Sequence, residues 1–233
     1  MKKYKLILFD ADGTLFDFHQ GERDALRAAF EHHGMMYEQS VHLPLYQKIN
    51  LDIWLEFEQH KILAADLSRE RFRRFLFELQ SPADPEKFSA MYLKGLSQST
   101  HTIDHAREVV ERLANDFTLV ILTNGLSGVQ HPRFKKSPMY PYFSSIVVSE
   151  DLGVAKPHPG IFEHALASVG HTDRSTAIIV GDNLSSDIQG GVNFGIDTCW
   201  FNPNRKVISN GLVPTYEIAS LKQLFDILYE PTI

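Results

Sequence analysis

Six side chains have the types and positions to work together: Asp10, Asp12, Thr123, Lys156, Asp182 and Asp187. Asp10 and Asp12 stand two residues apart, directly after the apolar run Leu6-Ile7-Leu8-Phe9 and just ahead of Gly13-Thr14. Carboxylates gathered in one crevice cannot all be ionised without a counter-charge. Mg²⁺, which takes oxygen ligands and keeps several waters, is the natural one, and Lys156 adds a second positive charge. A cation and a lysine beside carboxylates point to an anionic substrate, most simply a phosphate. Asp10 can then attack phosphorus and form an aspartyl-phosphate. Asp12 can protonate the leaving oxygen and afterwards take a proton from the hydrolytic water. Thr123, helped by the adjacent backbone N–H of Asn124, can hold a phosphate oxygen.

These residues converge only if particular elements present them on one edge. The short unbroken apolar run at 6–9 reads as a central parallel strand buried on both faces. Further strands are expected at 117–122, ending on Thr123-Asn124-Gly125, at 145–148, ahead of Lys156, at 177–180, ending on Gly181-Asp182-Asn183, and at 198–200. Helices are expected at 22–33 with Gly34 as the stop, 41–62, 68–80 capped by Ser68, 85–97 started by Asp84-Pro85, 104–115 and 159–169. Another follows Gly181-Asp182-Asn183 and runs to Phe194 with Gly195 as its stop, and a last one opens with the Ser220/Gln223 capping-box spacing. The proline- and aromatic-rich stretch 131–143 reads as a loop. Strands alternating with helices predict an α/β fold, a doubly wound parallel sheet whose strands carry the polar residues at their carboxyl ends.

The stretch 17–96 interrupts that alternation with helix after helix, so it reads as a helical cap domain inserted after the first strand. The core domain is then 1–16 and 97–233. The insert's aromatics, Phe30, Tyr37, Tyr46, Trp54, Phe57, Phe72, Phe75, Phe77, Phe88 and Tyr92, are expected to fill mostly a small core of its own.

Composition narrows the function further. The 233 residues are 43% hydrophobic and 22% charged, with a net charge of −6. That balance argues against a nucleic acid polymer as partner, which would need clustered Lys and Arg. Cys199 is the one cysteine, expected to be buried and without a catalytic part, and it fits a reducing cytoplasm. Met1-Lys2-Lys3 runs straight into the first strand, so neither a signal peptide nor a membrane span is expected.

Asp10-Ala11-Asp12-Gly13-Thr14, Leu122-Thr123-Asn124-Gly125, Lys156-Pro157 and Gly181-Asp182-Asn183-Leu184-Ser185-Ser186-Asp187 resemble, in order and spacing, the four motifs of the haloacid dehalogenase-like (HAD) hydrolases. The resemblance implies a Rossmann-like HAD core with the first and fourth strands adjacent, and a cap that closes over the site and supplies specificity. It implies Asp10 as nucleophile, Asp12 as general acid and base, and Thr123 and Lys156 as phosphate ligands. It also implies Mg²⁺ held by Asp10, the Asp12 carbonyl and Asp182, with Asp187 acting through water. His158 stands where similar sequences more often carry an acidic residue.

Asp12 speaks against a dehalogenase, which needs no acid two residues after its nucleophile. Gln130, Arg133, Tyr142-Phe143, Val154-Ala155 and, in the insert, Tyr46-Gln47, Asn50 and Trp54 are similar to the YjjG-type pyrimidine 5′-nucleotidase branch. Pro132 and Pro138 depart from it. That likeness implies a small phosphate monoester as substrate, a pyrimidine nucleoside monophosphate such as dUMP, dTMP or a noncanonical analogue, with Asn50 and Trp54 contacting the base. The alternatives are a phosphatase of phosphoglycolate or a sugar phosphate, or a β-phosphoglucomutase-like phosphotransferase. Outside this class, receiver domains share the residue types in another order and lack the insert. A non-catalytic phosphate-binding protein would have no need for every catalytic position to be filled. Monomer and homodimer are both compatible with the sequence.

Overall fold

The computed structural model describes residues 3–59, 61–63, 66–208 and 211–229; the side chains of Phe57 and Glu58 are also outside the described set. The N-terminal residues Met1 and Lys2 and the Phe57 ring, on which parts of the sequence reading fall, therefore lie outside the described residues.

The apolar run forms β1 (Leu6–Phe9), every residue of it buried. Leu6 and Leu8 pack into one apolar layer, Ile7 and Phe9 into another, which is why the run is continuous and not alternating. β2 (Thr118–Thr123), β3 (Ser145–Val148), β4 (Ala177–Gly181), β5 (Asp197–Phe201) and β6 (Tyr216–Ile218) join it in a six-stranded sheet of order β3-β2-β1-β4-β5-β6. Each pairing is parallel. β1 lies between β2 and β4, so the strand order reverses beside it and a crevice opens at the carboxyl ends there.

Between β1 and β2 come α1 (Phe18–His32), α2 (Gln39–Glu58), α3 (Leu67–Glu78), α4 (Pro85–Gln98) and α5 (Ala106–Leu113). α6 (Ser127–Lys136) and a 3₁₀ turn at Tyr140–Tyr142 lead to β3, and α7 (Ser149–Leu152) and α8 (Pro159–Ala167) lead to β4. A π-type turn (Leu184–Ile188) runs into α9 (Gln189–Phe194), and α10 (Leu224–Tyr229) follows β6. The chain divides into two compact units, Met1–Phe18 with Thr100–Ile233, and His19–Ser99. No helix among the described residues is long and apolar enough to cross a membrane.

Local chemistry accounts for most boundaries. Asp84 caps α4, accepting from Glu86 N at 2.8 Å and Lys87 N at 3.2 Å. Gln223 reaches back to the Ser220 N–H at 3.0 Å, completing the capping box before α10. Other boundaries differ from the sequence reading. α1 begins at Phe18, four residues early, because its first turn carries no apolar periodicity to read. Asp66, not Ser68, stands at the start of α3, and Ser68 lies inside the helix. The first part of the stretch expected as a loop, 131–136, is instead the end of α6, which keeps Pro132 inside it. Burying Val129, Gln130, Arg133 and Phe134 on one face outweighs the hydrogen bond that proline forfeits. α7 and β6 are too short to leave a periodic signal.

In the helical unit, Phe30, Tyr46, Phe72, Phe75, Phe88 and Tyr92 are each at most 1% exposed and pack ring against ring. Phe77 does not join them. It is 74% exposed, because two residues after Phe75 it falls on the opposite face of α3.

Candidate active site

The site grows from the carboxyl end of β1. Asp10 continues the strand, its N–H donating to Val180 O of β4 at 2.9 Å. Its carboxylate is held on both oxygens: Lys156 Nζ donates to Oδ1 at 2.7 Å and Thr14 Oγ1 to Oδ2 at 3.2 Å. Lys156 is 4% exposed and Asp10 7%, so the pair sits out of bulk water. Lys156 Nζ also donates to Leu122 O at 2.7 Å and lies 2.6 Å from Asp187 Oδ1, an ion-pair contact outside hydrogen-bond alignment. Lys156 comes from a loop, and Asn124 fixes that loop to the end of β2. The Asn124 Oδ1 accepts from Lys156 N at 2.8 Å, and its Nδ2 donates to Lys156 O at 2.9 Å.

β4 supplies the remaining carboxylates. Asn183 caps the following π-type turn, accepting from Ser185 N and Ser186 N, so Asp182 and Asp187 are not spent on capping. Asp187 Oδ2 instead accepts from Asn183 N at 3.0 Å, and Trp200 Nε1 donates to Asp182 O at 3.0 Å. One oxygen each of Asp10, Asp182 and Asp187 lie within 4.8 Å of one another. At two glycines the backbone comes too close to these carboxylates for a side chain. A Cβ at Gly13, whose φ is +84°, would sit 2.6 Å from Asp182 Oδ2, and one at Gly181 would run into the Asp187 carboxylate.

Burial and the crowding of like charges act together here. Burial raises the Asp10 carboxyl well above the ordinary carboxylate range, Lys156 pulls it down, and Asp187 and Asp182 push it up again. Asp182 is raised to about 7, by burial first and then by Asp187. Burial works against the Lys156 charge, but Asp10 and Asp187 outweigh it, and its pKa stands above the usual lysine value. One ammonium among three carboxylates leaves the cluster short of positive charge. A hard divalent cation on these oxygens would supply it, so the donor set fits Mg²⁺.

Asp12 faces different partners. Gln130 Nε2 donates to its Oδ2 and Arg133 Nη2 to its Oδ1, both at 2.6 Å. Thr123, 2% exposed, accepts through Oγ1 from Gln130 Nε2 and from Gly125 N, each at 3.2 Å. In the sequence, Gln130 and Arg133 carry a family likeness and nothing that places them in the site. Their signal is two polar residues three apart on the buried face of α6, beside Val129 and Phe134. His158 caps α8, its Nδ1 accepting from Gly160 N at 3.1 Å, so the acidic residue more usual there is replaced by another acceptor. Cys199 is fully buried, and burial pushes its thiol up to about 12.

Asn50 and Trp54 belong to the helical unit. There Asn50 Oδ1 accepts from Arg71 Nη1 at 2.7 Å, and Gln47 Nε2 donates to the buried Glu22 at 2.7 Å.

The family model described as haloacid dehalogenase-like hydrolase matches residues 4–195 of this chain. The chain belongs to the haloacid dehalogenase-like hydrolases. Among other members of the family, it is 36% identical over 228 residues to the HAD-hydrolase YfnB of Bacillus subtilis, covering 98% of this chain and 97% of that protein. A crystal structure of YfnB bound to magnesium superposes with a TM-score of 0.92 at 35% identity, covering 98% of this chain and 100% of that one. The pyrimidine 5′-nucleotidase YjjG of Escherichia coli is 31% identical, over 97% of this chain and 98% of its own length. The pyrimidine 5′-nucleotidase PynA of Streptococcus pneumoniae is 32% identical, over 97% and 95%. As a HAD-like hydrolase, the chain is an enzyme whose parallel sheet carries its acidic cluster where this fold opens its ligand crevice.

Proposed function

We propose that this hydrolase removes phosphate from a small phosphomonoester through an aspartyl-phosphate on Asp10, with Mg²⁺ as cofactor. The carrying observation is the division of labour between two carboxylates of one strand end. Asp10 is bound to a lysine and grouped with two further carboxylates, whereas Asp12 is set apart on a guanidinium and an amide.

In the first step an Asp10 oxygen forms a bond to phosphorus as the bond to the leaving oxygen breaks. The leaving oxygen keeps that electron pair and takes a proton from the Asp12 carboxyl. In the second step Asp12, now a carboxylate, accepts a proton from water while the water oxygen bonds to phosphorus and Asp10 departs. Inorganic phosphate is released and both aspartates return to their starting states. Lys156 holds Asp10 in place and offsets charge on the phosphate, and Thr123 with the Asn124 N–H binds phosphate oxygens. The metal would be held by Asp10, the Asp12 carbonyl and Asp182, with Asp187 behind them. When bound it supplies charge neutralisation for the carboxylates and the phosphoryl oxygens.

The substrate we infer is a pyrimidine nucleoside 5′-monophosphate. Full-length similarity to two proteins named pyrimidine 5′-nucleotidase supports that reading. Asn50 and Trp54 of the helical unit are the residues assigned to the base. Phosphate release from a panel of dUMP, dTMP, phosphoglycolate and a hexose phosphate, with and without Mg²⁺, tests it. Mg²⁺-dependent turnover led by the pyrimidine nucleotides is expected. Fast turnover of phosphoglycolate or a hexose phosphate with none of any pyrimidine monophosphate would overturn the substrate assignment.

A further inference from the structure

We propose that Gln130 and Arg133 are positioning residues for Asp12, a two-residue clamp that fixes the proton-transferring carboxyl relative to the phosphate-holding Thr123. The proposal rests on the reading of Asp12 as general acid and extends it to residues with no assigned part in the reaction.

The contacts form a closed circuit. Arg133 Nη2 donates to Asp12 Oδ1 at 2.6 Å and to Gln130 Oε1 at 2.7 Å. Gln130 Nε2 donates to Asp12 Oδ2 at 2.6 Å and to Thr123 Oγ1 at 3.2 Å. Both oxygens of Asp12 are therefore engaged by side chains of one helix, α6, which sets the rotation of the carboxyl group. The same amide nitrogen ties that group to Thr123, so acid and phosphate ligand are held in register.

The clamp is itself immobilised. The Arg133 side chain is 2% exposed, whereas that of Asp12 is 27% exposed. The guanidinium lies over the Phe16 ring, 4.5 Å from its centroid, and Phe16 packs edge-on against Phe134 with centroids 4.9 Å apart. Arg133 Nε is buried with no hydrogen-bond partner among the described residues. Burying a guanidinium with one N–H unmatched costs stability, and a buried ion pair is a weak stabiliser compared with apolar packing. An apolar side chain would serve the core as well, so the placement is explained by what Arg133 does to Asp12. A carboxyl that must meet an oxygen at hydrogen-bond distance loses efficiency when its orientation is left to chance.

Leaving-group dependence separates this role from a structural one. p-Nitrophenyl phosphate departs as a stable phenolate that needs no proton, whereas dTMP departs as an alkoxide that does. The readout is the ratio of kcat/KM for dTMP to that for p-nitrophenyl phosphate, measured with saturating Mg²⁺. Asp12→Asn is the benchmark and should lower the ratio by about 10²-fold or more, the range general acid catalysis contributes. Arg133→Met and Gln130→Leu should lower it by about 10-fold or more through kcat, with KM for dTMP changed by less than about threefold, and Arg133→Lys should fall between them and the wild type. Should Arg133→Met not fold by thermal melting, Gln130→Leu and Arg133→Lys carry the test. A loss equal on both substrates, or no loss on either, in variants beside a shifted Asp12→Asn ratio would overturn the clamp alone. An unshifted ratio in Asp12→Asn would overturn the acid assignment on which the clamp rests.

Discussion

The two units of this hydrolase bury polar side chains in opposite ways. In the sheet unit the buried charges meet one another: Lys156 contacts Asp10 and Asp187, and Arg133 contacts Asp12, with 2.6–2.7 Å between the paired atoms. In the helical unit the buried polar groups lie among rings. Arg71 sits over the faces of Tyr46, Phe72 and Tyr92, and it donates to the neutral side chain of Asn50. Glu22 is raised there by burial first, with the Gln47 amide as the main opposing influence. A dense set of opposite charges can stabilise a change of charge during reaction, whereas neutral amides beside rings can read shape and hydrogen-bond pattern. Chemistry is thus expected to depend on the first region and selectivity on the second.

Removing the metal probes the contrast most severely. Chelation with EDTA should reduce turnover of every substrate to background, and added Mg²⁺ should restore it. Undiminished turnover after chelation would remove the cation from the sheet unit's chemistry. Lys156→Met comes next, with an expected loss on the order of 10²–10³-fold on nucleotide and aryl phosphates alike. A loss confined to one substrate would assign Lys156 to selectivity and blur the contrast.

The same cluster carries a pH signature. The Asp182 carboxyl is raised from 3.8 to about 7 in the folded, metal-free protein, so the native state holds this proton more tightly than the unfolded chain does. Its contribution to stability is present below the ordinary carboxylate range and is lost as pH rises from about 4 to about 7. The metal-free Tm should fall across that window, and Mg²⁺ should raise Tm more at pH 8 than at pH 5. A metal-free Tm that climbs over the same range through this site would contradict the crowding of Asp10, Asp182 and Asp187. The smallest effect belongs to the helical unit. Asn50→Ala and Trp54→Ala should raise KM for dTMP by roughly 5–100-fold, the value of a lost base contact, and leave p-nitrophenyl phosphate turnover near the wild type. Equal losses on both substrates would assign these side chains to packing.

The two regions were also unequally legible in the sequence. A buried parallel strand needs a continuous apolar run, so β1, β2 and β4 announce themselves, and whatever follows each run must stand at the crevice. Asp10, Thr123 and Asp182 were readable for that reason. Arg133 and Gln130 were not, because the prolines around them mask a helix that tertiary burial sustains. Thr14 was visible as part of a motif, but its hydrogen bond to Asp10 depends on the turn at Gly13. In the helical unit, aromatic content announces a core without saying which rings enter it. Phe75 and Phe77 have the same composition signal, and only the facing of α3 separates them. Nor does the sequence indicate that Asn50 is engaged by Arg71, twenty-one residues away on the next helix.

Attack of Asp10 on phosphorus is the step on which the proposed mechanism turns. Its most direct test is acid quenching during turnover of a ³²P-labelled monophosphate, followed by mapping of the labelled peptide. Label is expected on the peptide carrying Asp10, stable in acid and released by hydroxylamine, and none in Asp10→Asn. A wild-type protein that releases phosphate with no covalent label, or an Asp10→Asn variant that retains both label and turnover, would contradict it.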